Sequence, residues 1–331
     1  MSSRSNSAVL VPPTENDPVP ATDTISVDSL VHRYGDRVAL DGVSFGVRPA
    51  EIFGLLGPNG SGKTTLFRIL TTLMVPSGGR ALIAGFDPVK SPNQVRRRIG
   101  VVSQAQSVDV KLTAAENLMH QGHLYGISGS RLKQRITEML ERVALADRAG
   151  DLVETFSGGM QRRVELAKGL MHRPSVLLLD EPTTGLDPGA RRDLWLYLDT
   201  LRQQEGVTVL VTTHLMEEAE RCDQLAILSQ GKLVGLGTPA ELKSEIGGDV
   251  IRFETEDSEA LAAGIRQRFG IACVVEENIV RLERTQGHRF AADVMEAFPG
   301  EIRSINISRP TLEDVFVRRT GHRFWVEGES T

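Results

Sequence analysis

Two apolar runs in this chain show no alternation: Ser175-Val176-Leu177-Leu178-Leu179-Asp180 and Val207-Thr208-Val209-Leu210-Val211-Thr212. Runs of this kind read as parallel strands covered on both faces. Between them, residues 190–203 carry apolar positions at helical spacing, and strand, helix, strand predicts a right-handed crossover in a parallel sheet. Upstream the pattern changes. Ile25-Ser26-Val27-Asp28-Ser29-Leu30-Val31 alternates apolar and polar residues, and residues 38–47 continue as a second short strand around a glycine turn. These predict an antiparallel β layer leading into Ile52-Phe53-Gly54-Leu55-Leu56, which reads as a buried strand. Residues 113–168 read mainly as helices, broken at Gly126-Ile127-Ser128-Gly129 and at Ser157-Gly158-Gly159, and form a helical segment inserted into the α/β core.

Past Gly247-Gly248 a second pattern begins. Residues 250–254, 271–275, 279–282 and 302–307 read as strands, and 258–269 and 290–298 as helices. The order βαββαβ predicts a small α+β ferredoxin-like unit. Thr311, following Pro310, is placed to N-cap one more helix. Residues 1–24 are rich in Ser, Pro, Thr and Asp with little to bury, which predicts a disordered tail. The expected division is therefore a tail over 1–24, a main domain over 25–245 and an accessory domain over 246–331.

The chemistry concentrates where the buried strand 52–56 meets a helix starting at Thr64. The link is Gly57-Pro58-Asn59-Gly60-Ser61-Gly62-Lys63-Thr64, followed by Thr65. A strand, then G-x-x-x-x-G-K-T, then a helix is the context of a phosphate-binding loop. Glycines let consecutive backbone N–H groups turn inward as an anion nest, and the helix dipole points the same way. Lys63 would reach the β- and γ-phosphates, and the Thr64 hydroxyl would hold Mg²⁺. Asp180 and Glu181 close the buried strand 176–179, and parallel sheets present their functional groups at strand ends. Asp180 is placed for Mg²⁺, and Glu181 for the attacking water. Ser157-Gly158-Gly159 before a helix is either a cap or a second anion-binding element. If the latter, two subunits could share each nucleotide.

In this order the motifs resemble those of the nucleotide-binding subunit of an ATP-binding cassette (ABC) transporter. Within that superfamily the chain is most similar to the daunorubicin-resistance type of drug-exporter ATPases, over residues 25–320. The resemblance implies a P-loop NTPase core with an antiparallel β layer and a helical subdomain. Lys63 and Thr64 fall in its Walker A motif, and Asp180 and Glu181 in Walker B with the catalytic glutamate. Ser157-Gly158-Gly159 matches the signature motif, which in the family contacts the γ-phosphate held by the opposite subunit. Gln104, in Val101-Val102-Ser103-Gln104, falls at the loop linking Mg²⁺ and the attacking water to the membrane partner. Gly185-Leu186-Asp187 matches the loop at the dimer interface, His214 the switch histidine, and Tyr34 the ring that stacks on adenine. The signature here, Phe156-Ser157-Gly158-Gly159-Met160-Gln161, departs from the commonest form, which begins with Leu and has Gln fifth. Arg309-Pro310-Thr311-Leu312-Glu313-Asp314-Val315-Phe316 resembles the ending of the drug-exporter subfamily. Implied with these are ATP and Mg²⁺ as cofactors, a homodimer, and a separately encoded polytopic membrane permease. The implied location is the cytoplasmic face of the cell membrane, and the implied task is export of a hydrophobic drug or small molecule.

Composition narrows the alternatives. A formal net charge of −5 offers no basic stripe for nucleic acid. Cys222 and Cys273 are too few for a disulfide framework. No apolar run approaches the ~18 residues of a membrane span, and Ala8-Val9-Leu10-Val11 before Pro12-Pro13 is too short for a secretory segment. The chain is expected to be soluble, with any membrane role supplied by a partner. Arg318-Arg319 reads as a solvated charge run. An exporter of ions, lipid or polysaccharide is the main alternative. A non-transport ABC protein acting on ribosomes or DNA would call for a second cassette or a coiled-coil insert, which this sequence lacks. A nucleotide module without turnover conflicts with Glu181 and His214.

Overall fold

Thr24 donates its N–H to the Val47 carbonyl and accepts at its own carbonyl from the Ala84 N–H, both at 2.7 Å. These bonds tie it into the antiparallel layer, so the chain is already engaged before the expected tail ends. The computed structural model describes residues 23–321 and Phe324. The rest of the expected tail lies outside the described residues.

Strands β1 (Ile25–Tyr34) and β2 (Arg37–Val47) pair antiparallel, and β3 (Ile52–Leu56) then enters the main sheet. After α1 (Lys63–Leu70), β4 (Gly78–Ile83) returns to the other edge of β1 and completes the layer β2-β1-β4. The chain continues through α2 (Pro92–Arg96) and β5 (Ile99–Val102) into a helical segment of α3 (Ala114–Leu124), α4 (Gly129–Arg142) and α5 (Gly158–Leu170). It re-enters the sheet with β6 (Val176–Asp180), α6 (Pro188–Glu205), β7 (Thr208–Thr213), α7 (Met216–Ala219), β8 (Gln224–Ser229) and β9 (Lys232–Gly237).

The main sheet has the order β5-β6-β7-β3-β8-β9 and is parallel except for the β8–β9 pair. Every residue of β3, β6 and β7 is buried. Ile52, Leu177, Leu179, Val209 and Val211 face the helical side, while Phe53, Leu55, Val176, Leu178 and Leu210 face α1 and the antiparallel layer. Apolar cover on both faces is the reason these strands do not alternate.

Beyond α8 (Pro239–Ser244) come β10 (Asp249–Thr255), α9 (Ser258–Phe269), β11 (Val274–Glu276), β12 (Ile279–Arg284), α10 (Gly287–Ala297) and β13 (Ile302–Ser308). Their antiparallel sheet, β11-β12-β10-β13, is the ferredoxin-like arrangement. Ile251, Phe253, Val280 and Leu282 pack there against Leu261, Ile265, Phe290 and Val294. The strand expected over 271–275 sits later, at β11, because pairing with β12 selects Val274–Glu276. The last helix, α11 (Leu312–Thr320), starts with a Thr311–Asp314 capping box and turns back to the main domain. Leu312, Val315 and Phe316 join Leu242 and Ile246 in the core on the helical side of the main sheet, each fully buried side chain contributing roughly 1.5–3 kcal/mol. Arg318 and Arg319 are not free charges: Arg318 pairs with Glu283, and Arg319 with Glu245.

Candidate nucleotide-binding site

The loop leaving β3 curls around one ammonium group. Gly62, the N-cap of α1, has φ 107°, and a Cβ there would lie 2.6 Å from the Ala39 carbonyl, so the turn admits only glycine. Lys63 is buried, and its Nζ donates to the Gly57 carbonyl at 2.6 Å and to the Pro58 carbonyl at 3.1 Å. Burial pulls its pKa down, opposed by the charges of Glu181 and Asp180. Ser61 is buried too, and among the described residues its hydroxyl has no hydrogen-bond partner. Above the loop opens a cleft of about 290 Å³. Its walls bring together Tyr34, Asn59, Gly60, Gly62, Lys63, Thr64, Thr65, Gln104 and Glu181 from the sequence-derived set. Arg37 and Arg68 line it as well, and the sequence reading had not singled them out.

The far wall is the end of β6. Asp180 is buried, and its Oδ1 accepts from the Thr212 hydroxyl at 2.6 Å. Burial raises its carboxyl pKa, and the Thr212 bond works against that rise. Glu181 follows at φ 44°, a left-handed backbone costing roughly 1–2 kcal/mol for a residue with a side chain. Its N–H is held by the Thr212 carbonyl at 3.2 Å and the Thr212 hydroxyl at 2.9 Å.

That strained turn aims the Glu181 carboxylate at three groups. Oε1 lies 3.7 Å from Lys63 Nζ; Oε2 lies 3.1 Å from His214 Nδ1 and 3.4 Å from Gln104 Nε2. The His214 hydrogen bond is the largest influence on Glu181 and lowers its pKa; burial opposes it, and the charges of His214 and Lys63 lower it further. A carboxylate kept charged in a cleft beside a phosphate-binding loop can accept a proton from a water molecule.

Tyr34 stands at the mouth of the cleft, 45% exposed, with its hydroxyl 3.4 Å from Thr65 Oγ1 and its ring edge-on to His32. Ser157, Gly158, Gly159 and Asp187 stand apart from these walls. Ser157 caps α5, its Oγ accepting from the Met160 N–H at 3.3 Å. Asp187 caps α6, accepting from the N–H groups of Gly189 and Ala190 at 2.9 and 3.0 Å. A Cβ on Gly159 would fall 2.9 Å from Ala190 Cβ, so the two helix N-termini pack side by side.

Arg162 and Thr212 were missed by sequence reasoning. Arg162 lies on the buried side of α5, donating to Pro182 O and Ser103 O. Its signal was spacing: residue 162 shares a helix face with Leu166 and Leu170, where a charge is out of place. Thr212 is one of three threonines in β7, with Thr208 and Thr213, and nothing in the sequence sets it apart from them.

Comparison with known proteins bears on the family of the chain. The family model described as "ABC transporter" matches residues 40–184, and "ATP-binding protein DrrA1-3-like, C-terminal domain" matches residues 237–320. The daunorubicin/doxorubicin resistance ATP-binding protein DrrA of Streptomyces peucetius is 37% identical over 310 residues, covering 91% of this chain and 93% of that one. The linearmycin resistance ATP-binding protein LnrL of Bacillus subtilis is 36% identical, over 90% of this chain and 98% of its own length. The Nod factor export ATP-binding protein I of Ralstonia nicotianae is 39% identical, over 91% and 95%. Among solved structures, cbiO1 of Clostridium perfringens, part of an ABC transporter complex, superposes with a TM-score of 0.63 at 25% identity, over 75% of this chain and 96% of that one. The ATP-binding cassette MJ0796, described as a dimeric post-hydrolysis state with ADP and Pi, gives 0.59 at 27% identity, over 65% and 98%. The chain belongs to the ATP-binding proteins of ABC transporters, in the daunorubicin-resistance group that carries the DrrA-type C-terminal domain.

Proposed function

We propose that this chain hydrolyses ATP with Mg²⁺ as one of a pair, and that the cycle drives a separate membrane permease exporting a hydrophobic small molecule. The observation that carries the reading is the Glu181 carboxylate, held between Lys63, His214 and Gln104 beside the phosphate-binding loop. Lys63 and the loop N–H groups from Asn59 to Thr65 bind and orient the phosphates. Glu181 takes the proton of the attacking water, Gln104 and His214 fix that carboxylate, and Tyr34 stacks on the adenine. The residues present suit Mg²⁺: the Thr64 hydroxyl and the Gln104 amide line the cleft, the Asp180 carboxylate stands directly before Glu181, and all three offer hard oxygen donors. Bound there, the ion would neutralise charge on the phosphate oxygens.

Pairing follows from Ser157-Gly158-Gly159. That helix N-terminus offers N–H groups suited to phosphate, yet it stands away from the cleft of its own chain, with Ser157 and Gly158 exposed. In a head-to-tail pair it would close over the nucleotide of the other chain, with Asp187 at the interface. The dimeric MJ0796 relative supports this arrangement. ATP would then favour the closed pair and its hydrolysis would release it. Among the described residues no helix is long and apolar enough to cross a membrane, so in this reading the permease is another chain. The relatives are named for daunorubicin, linearmycin and Nod factor, which leaves the choice of cargo with the permease; the Nod factor relative favours a second reading with non-drug cargo. The test is to trap Glu181→Gln with ATP in native membranes and identify what accompanies it. A polytopic membrane protein is expected. Ribosomes or nucleic acid with no membrane protein would overturn the transport reading and leave the ATPase assignment standing.

A further inference from the structure

Glu181 occupies a left-handed backbone conformation, and the proline that follows biases it further towards extended structure. A residue so placed keeps its position only where its neighbours hold it. Thr212 holds the N–H of Glu181. The opposite side is held by one guanidinium. Arg162 Nε donates to the Pro182 carbonyl at 2.8 Å, directly after Glu181, and Nη2 stands 3.5 Å from the Asp180 carbonyl, directly before it. The same group donates through Nη1 to the Ser103 carbonyl at 2.8 Å, immediately ahead of Gln104. Its charge is balanced by Glu165, one turn along α5, and Glu165 in turn accepts from the Ser107 N–H at 2.6 Å. Both side chains are under 10% exposed. Arg162 rides on α5, whose first turn begins at the Ser157 cap.

We propose that Arg162 is a positioning residue that ties the start of α5 to the backbone on both sides of Glu181 and ahead of Gln104. A helix moves as a rigid element, so a small shift at Ser157 reaches Arg162 and displaces these carbonyls together. Resting on the proposed function above, the device makes the proton-accepting carboxylate of one chain respond to engagement of its Ser157-Gly158-Gly159 with the nucleotide of the other. The planar fork of arginine is needed to serve three carbonyls and a carboxylate at once, and a lysine offers only a point charge.

The test compares Arg162→Lys with wild type as the full chain. A fluorescent ATP analogue reads affinity, steady-state ATPase reads kcat and the Hill coefficient, and thermal melting reads folding. Expected for Arg162→Lys are an affinity within ~3-fold of wild type and a kcat lower by ~10- to 100-fold, the scale of a misplaced catalytic group. The Hill coefficient should fall toward one. A normal kcat, or a lower kcat with unchanged cooperativity, overturns the proposal. Should Arg162→Lys not fold, Glu165→Gln keeps the acceptor for Ser107 and removes the charge partner; it should show the same signature in weaker form, and wild-type values on all readouts would overturn the proposal equally. Glu181→Gln is the control. Normal turnover there removes the underlying reading, whereas lost turnover there with normal Arg162→Lys removes this inference alone.

Discussion

His214 Nδ1 lies 3.1 Å from Glu181 Oε2, and this contact, more than any other, holds the carboxyl of Glu181 below the ordinary value of 4.5. The two residues come from the ends of adjacent parallel strands, β6 and β7. A lowered carboxyl pKa stabilises the fold fully above about pH 4.5, and the gain is lost as pH falls through the lower folded value. The same charge keeps Glu181 able to accept a proton on the acid side of neutrality. His214→Ala should therefore move the acid limb of the ATPase pH profile upward, toward the ordinary carboxyl range. An unmoved limb would separate His214 from the ionisation of Glu181.

Lys63 and Glu181 face each other across 3.7 Å, yet their losses should differ in kind. Lys63→Ala removes the charge proposed to bind phosphate, and with it a charged hydrogen bond of roughly 1.5–3 kcal/mol, so ATP affinity should drop by ~10- to 100-fold. Glu181→Gln should leave affinity near wild type while turnover falls by ~10²–10⁴-fold. Nucleotide titration and steady-state kinetics on the two variants check the split. Equal affinity losses in both would contradict it.

Thr212 serves two neighbours with one hydroxyl, donating to Asp180 Oδ1 and accepting from the Glu181 N–H. Thr212→Val keeps the shape and leaves both polar groups short of a partner, a cost of about 1–3 kcal/mol. Without that bond the buried Asp180 carboxyl should also rise further in pKa, and the Mg²⁺ concentration for half-maximal ATPase should increase. Thr212→Ser should recover both. Melting curves and Mg²⁺ titrations decide; a valine variant with wild-type behaviour in both would refute the double role.

Asp314 anchors the last helix. Its carboxylate pairs with Arg252 and Arg281 on β10 and β12 and also closes the capping box with Thr311. Both Asp314 and Arg281 are almost wholly buried, so Asp314→Ala leaves cationic groups inside without their main partner, at about 3–5 kcal/mol. The melting temperature should fall, and residues 309–320 should become accessible to limited proteolysis. Asp314→Asn should fall between. A wild-type melting curve for Asp314→Ala would show that α11 is held by its apolar face alone.

Local order explains which elements were legible in advance. The phosphate-binding loop is eight consecutive residues whose glycines and lysine do their work within one turn of chain, so residues 57–64 could be read directly. Helix α9 and the Thr311 cap were legible for the same reason: their periodicity and capping partners lie within three or four residues. Strands β4, β5 and β9 carried no clear pattern, because short strands at a sheet's edge or in a separate layer take their identity from pairing. Gln104 and His214 entered only through resemblance to a family; as isolated residues they looked like ordinary loop and strand-end side chains.

The sequence by itself determined the phosphate loop, the doubly covered strands that carry Asp180 and Glu181 to a common edge, and the ferredoxin-like order of the C-terminal unit. These follow from spacing, since backbone geometry repeats every two or 3.6 residues and needs no distant partner. Tertiary structure alone decided that Glu181 meets Lys63, His214 and Gln104, that Arg162 holds the carbonyls around that carboxylate, and that α11 turns back into the cassette core. Each of those contacts joins residues far apart in the chain. Their energies come from burial and from pairing charges away from water, conditions that exist only once the sheet and helices have packed.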